Sequence, residues 1–302
     1  MYHSKLITVM PTWDEISNEI ASQPSRYDRT RRKYISELVQ KTGRNLVVYY
    51  SGWLQKEGYH LEIEDTDKIG FMTTIKGLDR SKGLDLMLHT PGGSLGATES
   101  IVDYLKAMFG NDIRAIVPQI AMSAGTMIAC ACKEIVMGKH SNLGPIDPQI
   151  GGFPTHGIIE EFNRAKKEIK EDPDTMLVWQ TILSKYPPAL IGECEKAIQW
   201  SETVVKSWLK ENMFLDDPEK DEKIEVIIEE LASHALTLSH DRHLSADILK
   251  NLGLKIILLE DDPDFQDKVL SVHHACIISL TQTTACKIVE NHFGKAYIQT
   301  AE

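Results

Sequence analysis

The sequence predicts an α/β fold built on a mostly parallel β-sheet. From residue 45 onward, short apolar runs alternate with helical segments: the predicted elements include runs at 46–50, 84–88, 113–117 and 134–137, a stretch at 65–77, and helices near 97–109 and from Ser123. Strands that alternate with helices of about 10–15 residues are typical of right-handed βαβ crossovers. Because such crossovers leave neighbouring strands parallel, we expect the core to be α/β.

Helical patterns flank and interrupt this core. Two helical stretches lie within residues 12–42, and residues 158–231 carry charged helical patterns that Pro173 and Pro187-Pro188 break. Residues 236–259 return to a compact pattern, with Ser245 as the N-cap of a short helix that Gly253 ends, and a last helix is expected over 265–293. The predicted organisation is N-terminal helices at 1–44, the α/β core at 45–157, a helical insertion at 158–235, a return to the core at 236–260, and a C-terminal helix for packing or oligomerisation at 261–302.

Composition places the protein among soluble globular proteins. Its 302 residues are 42% hydrophobic and 25% charged, and the formal net charge of -11 argues against nucleic acid or a polybasic membrane contact. Residues 1–20 offer no uninterrupted apolar segment of a signal peptide, and no run reaches the roughly 18 apolar residues of a bilayer span. We expect a cytoplasmic protein without a membrane span.

The cysteines predict neither disulfides nor a metal site. Five are present, an odd number without C-x-x-C spacing, so we expect them to be reduced packing residues. His273-His274-x-Cys276 could suggest a metal, but adjacent ligands point to different sides of a helix and no partner spacing follows. We expect no metal and no cofactor.

The first stretch with catalytic potential is a glycine loop. Residues 86–93 read Leu-Met-Leu-His-Thr-Pro-Gly-Gly, an apolar strand that runs into a turn and then a helix. Glycine permits positive φ and a close approach of a substrate backbone, so Thr90-Pro91-Gly92-Gly93 can aim amide N–H groups at a ligand oxygen. An ordinary turn is the alternative interpretation.

The second stretch places a serine at the head of a helix. Residues 118–125 read Pro-Gln-Ile-Ala-Met-Ser-Ala-Gly, where a strand ends and Ser123 opens a segment of small residues. Free N–H groups there stabilise developing negative charge. The pattern Ala121-x-Ser123-x-Gly125 is one substitution from the G-x-S-x-G nucleophile elbow. The alternative is that Ser123 only caps the helix.

The third stretch holds an aspartate between two prolines. Residues 142–149 read Asn-Leu-Gly-Pro-Ile-Asp-Pro-Gln, and the prolines hold Asp147 on a rigid segment outside any helix. A turn aspartate is the alternative.

These three stretches, in this order, resemble the serine dehydrogenase proteinase family, which is related to the Clp protease catalytic subunit and signal peptide peptidase A within the Clp/crotonase fold. The resemblance covers about residues 29–153 and continues loosely around 238–254. It implies a spiral of ββα units and a serine-type peptidase that forms a homo-oligomer. The expected substrates are peptides or partly unfolded proteins.

The resemblance also implies the site residues. Ser123 matches the nucleophile, Asp147 the acidic member of a triad, and Gly92, Gly93 and the amide of Ala124 the oxyanion hole. Family members carry a His-Asp dipeptide shortly before a helix that ends in Gly-Leu. That dipeptide corresponds to His240-Asp241 here and implies His240 as the general base.

Other bases stay open at this point. His243 lies three residues after His240, His140 precedes the Gly-Pro-Ile-Asp motif, and His89 adjoins the glycine loop. A neutral lysine is a further alternative because signal peptide peptidases use a Ser-Lys dyad; Lys133 and Lys139 lie beyond the nucleophile helix, but neither stands in a matching motif.

The sequence therefore predicts a cytoplasmic serine endopeptidase. Nothing resembles a P-loop, so ATP-driven unfolding would need an unfoldase partner. The alternatives are a crotonase-like acyl-CoA hydratase or hydrolase and a catalytically inactive scaffold of the same fold. Trp179, Trp200 and Trp208 in the insertion could line a substrate groove, but buried packing between helices is the commoner role.

Overall fold

A central seven-stranded sheet organises the protein, whose computed structural model describes residues 12–21, 26–58, 61–232 and 241–301. The strand order is β10-β5-β3-β2-β1-β11-β12. The first five strands in this order run parallel, whereas β11 and β12 are antiparallel additions. The strands of this sheet are β1 (Asn45–Ser51), β2 (Leu84–His89), β3 (Ile113–Val117), β5 (Glu134–Met137), β10 (Ile256–Leu258), β11 (Ala285–Asn291) and β12 (Ala296–Thr300).

The mostly parallel sheet confirms the predicted α/β class. β3 and β5 occupy the residues that the apolar runs predicted, and β1 and β2 extend those runs by a residue or two. Both β1 and β2 are buried along their whole length, because helices cover the two faces of the sheet. That explains why they read as continuous apolar runs instead of alternating patterns.

The described residues form helices that cover both faces of the sheet, together with helices of the insertion that pack on other helices. They are α1 (Trp13–Ala21), α2 (Arg26–Thr42), α3 (Asp67–Ile75), α4 (Leu95–Phe109), α5 (Ala124–Cys130), α6 (Thr155–Glu171), α7 (Met176–Leu183), α8 (Leu190–Glu211), α9 (Lys220–Ala232), α10 (Ala246–Asn251) and α11 (Pro263–Gln282). Alternate residues of β1 divide the core: Val47 and Tyr49 pack with α3, α4 and α5, while Val48 and Tyr50 pack with α2 and α11.

The charged helical patterns after the core do form helices. α8 packs against α5 and also contacts α6 and α9. Nδ2 of the Asn212 side chain, just beyond the end of α8, donates to the carbonyl of Ala131 at 2.8 Å. The inserted helices are thereby fixed to the segment that follows Ser123.

The prediction of the last helix is wrong beyond residue 282. α11 ends at Gln282, and residues 285–291 form β11 in place of a continued helix. β11 pairs antiparallel with β1 and lies fully buried in the sheet. The charged residues Lys287 and Glu290 interrupt the apolar sequence of β11, so that it resembles an amphipathic helix. Both side chains form ion pairs inside the protein.

Two smaller sheets flank the central one. β4 (Ile120–Ala121), β6 (Asn142–Leu143) and β9 (Leu244–Ser245) form a three-stranded sheet, and β7 (Gln149–Ile150) forms a hairpin with β8 (Phe153–Pro154). Ser245 caps α10, as predicted, because its side chain accepts the N–H of Ile248 at 3.4 Å.

The five cysteines are free and buried, as packing residues would be. Within the described ranges, no helix is long and apolar enough to cross a membrane.

Candidate active site

The three stretches singled out from the sequence meet beyond the carboxyl ends of three neighbouring parallel strands. The glycine loop follows β2, the segment that ends in Ser123 follows β3, and the segment that carries Asp147 follows β5. Ligands of open α/β sheets bind at this edge.

The glycine loop is held by a single parallel bridge between Gly93 and Ile63. The N–H of Ile63 donates to the carbonyl of Gly92 at 2.7 Å, and the N–H of Ser94 donates to the carbonyl of Ile63 at 2.9 Å. The carbonyl of Gly92 and the N–H of Gly93 belong to one trans peptide group and point in opposite directions, so the N–H of Gly93 faces away from Ile63. A side chain at Gly93, whose φ is 152°, would collide with the backbone of Ile63.

Gly92 packs directly on the candidate nucleophile. A Cβ at Gly92 would lie 2.7 Å from the Cβ of Ser123 and 2.9 Å from the amide nitrogen of Ala124, and the φ of Gly92 is 98°. The N–H of Gly92 donates to Oγ1 of Thr90 at 3.2 Å. Gly92 therefore contributes space next to Ser123, and its amide is occupied within the loop.

Ser123 has an unusual backbone for a residue with a side chain. Its φ of 50° and ψ of -116° lie outside the favoured regions, and α5 begins at the next residue. Its side chain makes no capping hydrogen bond with α5. The strained turn is thus not explained by a helix cap, and strain of this kind is concentrated at functional sites.

Asp147 lies on a loop that is tied to α5. Oγ1 of Thr126, in the first turn of α5, lies 2.9 Å from the carbonyl of Gly144 and accepts the N–H of Gly144 at 3.0 Å. Three residues later, the side chain of Asp147 is fully buried. The N–H of Ile146 donates to the carbonyl of Leu231, the penultimate residue of α9, at 2.8 Å.

A cavity of about 430 Å³ opens over these residues. Gly92, Gly93, Ser123 and Ala124 form one side of its wall. Asp147 is not itself in the wall, but both of its neighbours in sequence, Ile146 and Pro148, are. The structure therefore brings four of the predicted site residues to one cavity and buries the fifth directly behind its lining.

The proposed base, His240, lies outside the described residues. Its neighbour Asp241 lines a second cavity of about 450 Å³, together with His140 and His243. Pro91 borders both cavities, and Met122, which precedes Ser123, lines the second one. His140 and His243 thus line a cavity that shares Pro91 with the first cavity and is bordered by the residue that precedes Ser123.

His89 lies on the other face of the sheet. Its ring packs on Trp53 at 4.4 Å, Tyr50 at 5.3 Å and His273 at 5.5 Å between centroids. Burial lowers the pKa of His89 to about 3. Leu88 points instead into the core that contains α5, so His89 is separated from Ser123 by the sheet and does not serve as its base.

The two lysines are also badly placed. Lys133 forms an ion pair with Asp112 at 2.6 Å and follows the carboxyl end of α5, whereas Ser123 precedes its amino end. A helix of this length separates the two by about 10 Å. The exposed Lys139 lies beyond β5.

The described residues contain no group of three or more His, Cys, Asp or Glu side chains that could hold a metal ion. Nδ1 of His273 is instead 3.1 Å from the hydroxyl of Tyr50. His273-His274-x-Cys276 is part of the packing of α11.

One helix of the insertion contributes to the wall of the cavity. Trp179 and Trp208 are buried between helices, as expected, but Trp200 is 45% exposed and lines the cavity together with Ala197 and Ser201 of the same helix, α8. Glu62, next to the bridge at Ile63, also lines the cavity, although it lies far from α8 in sequence. No local motif marks these residues, because their positions depend on how α8 docks.

The chain is similar to a family of serine proteinases and to two archaeal proteins. Residues 57–263, more than half of the chain, match the family described as ClpP-like SDH-type serine proteinase. Two uncharacterized proteins of Methanocaldococcus jannaschii, MJ1495 and MJ0137, are 33% and 32% identical to the chain, each over 196 residues. The aligned part is 65% of this chain and 59% or 60% of the relative, so the chain spans about three fifths of the length of each.

Proposed function

Since this chain belongs to the family of ClpP-like SDH-type serine proteinases, we propose that it is a serine peptidase that cleaves peptide bonds through an acyl-enzyme on Ser123. The observation that carries the proposal is the backbone of Ser123. Its φ of 50° and ψ of -116° present an uncapped hydroxyl at the head of α5, beside Gly92 and in the wall of the cavity. A serine that only capped the helix would have no need of this strain.

Two amides next to the hydroxyl support an oxyanion hole. The N–H of Gly93 faces away from Ile63, and the N–H of Ala124 belongs to the first residue of α5; both residues line the cavity with Ser123. We assign the two donors to Gly93 and Ala124. Gly92 supplies the open space between them, since its own N–H binds Thr90. Loss of one such donor typically lowers the rate by a factor of about 10²–10³.

We assign the base to His240 and its orienting partner to Asp147. Both described flanks of residues 233–240 are fixed beside the segment that leads to Asp147. Leu231 binds Ile146, and Leu244 of β9 pairs with Leu143 of β6. A chain anchored at both ends next to this segment can bring His240 between Asp147 and Ser123. His243 and His140, which line the second cavity, are the alternatives that mutagenesis must exclude.

The proposed reaction follows the logic of a catalytic triad. His240 takes the proton of the Ser123 hydroxyl as Oγ attacks the peptide carbonyl, and the amides of Gly93 and Ala124 bind the oxyanion. The imidazolium, held by Asp147, then gives its proton to the leaving amine as the C–N bond breaks. A water molecule releases the acyl group by the same steps in reverse order.

We extend the proposal to the spiral arrangement of ββα units. β3 lies in the central sheet and the next strand, β4, in the small sheet, before α5 follows. β5 and β6 divide between the same two sheets in the same way. The repetition supports a spiral in which each turn sends one strand to each sheet.

We propose further that the protein acts in the cytoplasm as a homo-oligomer on peptides or partly unfolded proteins. Exposed apolar side chains on α7, namely Met176, Leu177 and Val178, support contacts between copies. Light scattering coupled to size exclusion tests the assembly. A monomer at micromolar concentration would contradict it. An unfoldase would be needed for folded substrates.

The nucleophile is tested with a small fluorophosphonate probe. We expect the probe to label the parent protein at Ser123, located by peptide mass mapping, and Ser123→Ala to abolish labelling. Ser94→Ala is the matched control, because Ser94 lines the same cavity but its Oγ accepts the N–H of Ala97 as the cap of α4. Equal labelling of the parent and the Ser123→Ala variant would overturn the proposal. For the base, His240→Ala should abolish labelling while His243→Ala and His140→Ala should not.

A further inference from the structure

Trp200 is a large aromatic side chain that the protein leaves open to the cavity of Ser123. It lies on α8 of the inserted region, lines the cavity and is 45% exposed. Tryptophan carries a large apolar surface, and a protein usually covers most of it. The open surface of Trp200 is therefore available to something that enters the cavity.

The indole is held in a fixed orientation by α4. Nε1 of Trp200 donates to Oε2 of Glu99 at 3.1 Å. One turn earlier on α4, a Cβ at Gly96 would lie 3.6 Å from Cη2 of Trp200, so the ring rests on the backbone of Gly96. Gly96 and Glu99 are three residues apart and share a face of α4. The ring is thus positioned at both ends before any ligand arrives, which lowers the entropic cost of binding.

The surroundings of the indole offer apolar surface and disfavour an acidic ligand. Leu95, Met127 and Ile146 contribute apolar surface to the same wall. Among the described lining residues, Glu62 is the only one with a charge, so an acidic ligand meets no cation there. The volume of about 430 Å³ has room for a side chain of aromatic size.

The cavity lies on the acyl side of the proposed cleavage point. The general base must reach the leaving amine, so the leaving group occupies the side of the base. Asp241, which follows His240, and the alternative bases His140 and His243 all line the second cavity, beyond Pro91. The first cavity, which holds Gly93, Ala124 and Trp200, therefore receives the residue whose carbonyl is attacked.

We propose that Trp200 binds the acyl-side residue of a peptide substrate and selects a large apolar or aromatic side chain at that position. The inference rests on the proposed function at Ser123. It assigns the specificity to the inserted helix α8, with Glu99 as the positioning residue of the indole.

The test compares two peptide phosphonates that differ only in the acyl-side residue, phenylalanine or alanine, by their rates of Ser123 modification. We expect the parent protein to prefer phenylalanine and Trp200→Ala to lower this preference about tenfold, the order expected for a lost aromatic contact and its buried area. Trp200→Phe should retain most of the preference, and Glu99→Ala should lose part of it. Trp13→Ala is the matched control, since Trp13 is 41% exposed on α1 and lies outside the cavity.

The outcomes separate this inference from the proposed function. If the small fluorophosphonate fails to label the parent protein, the nucleophile assignment fails. If it labels Ser123 but Trp200→Ala, folded by circular dichroism, keeps the parent's ratio of phenylalanine to alanine rates, the role of Trp200 is overturned while the peptidase stands. A ratio that falls equally in Trp13→Ala would also contradict the inference.

Discussion

Thr126 and Gly144 join α5, which begins directly after Ser123, to the loop that carries Asp147. The carbonyl and the N–H of Gly144 lie 2.9 Å and 3.0 Å from Oγ1 of Thr126, and the same hydroxyl is 3.1 Å from the carbonyl of Ala121. Thr126, Gly144 and Ala121 are all buried. One hydroxyl thus fixes the relative positions of two segments that are 18 residues apart in sequence.

Thr126→Val tests this connection, because valine keeps the shape of threonine and removes the hydroxyl. The N–H of Gly144 would then be buried without its acceptor, which typically costs about 1–3 kcal/mol of unfolding free energy. We also expect the rate of fluorophosphonate labelling to fall by about tenfold or more, since small displacements of catalytic groups are costly. Urea unfolding and labelling kinetics measure the two effects. Thr126→Ser should retain both properties, and a valine variant that matches the parent in both would contradict the role.

Gly92→Ala should disable the nucleophile through steric conflict. The added methyl group would stand 2.7 Å from the Cβ of Ser123 and 2.8 Å from the carbonyl oxygen of Met122, at a φ of 98°. Because these neighbours are backbone or its first side-chain atom, Ser123 itself must shift. We expect labelling of Ser123 to fall by at least about 10²-fold, as when an oxyanion donor is lost.

The matched control is Gly110→Ala. Gly110 also has a positive φ, of 59°, but a Cβ there meets nothing within 4 Å. It therefore adds the backbone strain of a left-handed residue without the contact at Ser123. Equal loss of labelling in both variants would mean that general destabilisation, and not the contact with Ser123, is responsible.

The sequence was sufficient for the parts of the fold that depend on local pattern. β3 and β5 lie where continuous apolar runs predicted buried parallel strands. β11 could not be predicted in this way, because Lys287 and Glu290 interrupt its apolar pattern. Their partners, Asp67 for Lys287 and Arg31 with Arg32 for Glu290, are more than 200 residues away. In a sequence, a charged residue predicts a position on the surface unless its buried partner is known.

The same distinction applies to the site. Ser123, Asp147 and the glycine loop follow strand ends, so their convergence was predictable from the order of the elements. The hydrogen bond that occupies the N–H of Gly92 was not predictable, because it depends on the rotamer of Thr90. The exposure of Trp200 was not predictable either, because the sequence of an amphipathic helix does not indicate which neighbour covers a tryptophan. Only the docking of α8 on α5 and α4 decides that.

Lys287 and Asp67 form a buried ion pair that supports the segment bridged to the glycine loop. Nζ of Lys287 lies 2.8 Å from Oδ1 of Asp67 and donates to the carbonyl of Glu62 at 2.8 Å, one residue before the bridge from Ile63 to Gly93. Lys287→Met would leave the carboxylate of Asp67 buried without its cation. We expect a loss of about 3–5 kcal/mol in the free energy of unfolding.

A double variant separates the charge from the packing. Lys287→Met with Asp67→Asn removes both charges, and the asparagine can keep the contact with the hydroxyl of Tyr49, which donates to Asp67 at 2.7 Å. Urea unfolding should therefore show the double variant to be more stable than Lys287→Met alone. If adding Asp67→Asn lowers the stability further, an isolated buried charge is not the cause of the loss.

His89 should make the stability of the fold fall as the solution becomes acidic. Burial lowers the pKa of His89 from its ordinary 6.5 to about 3, and the pKa of the neighbouring His273 is also lowered well below 6.5 by burial and by its histidine neighbours His89, His274 and His140. Between about pH 3 and pH 6.5, the unfolded chain binds a proton at His89 and the folded protein does not. Stability is therefore complete above about pH 6.5 and declines as the pH falls toward 3.

His89→Leu isolates this contribution. Linkage predicts that a single histidine of this kind costs about 2 kcal/mol between pH 7 and pH 5, so the variant should lose that much less stability over the interval than the parent. Met87→Leu is the control, because Met87 points to the same face of β2 as His89 and has no titratable group. Urea unfolding at the two pH values provides the measurement. A His89→Leu protein with the same difference between pH 7 and pH 5 as the parent would mean that His89 is protonated in the folded state or exposed to water, and the buried position assigned to it beside Trp53 would be wrong.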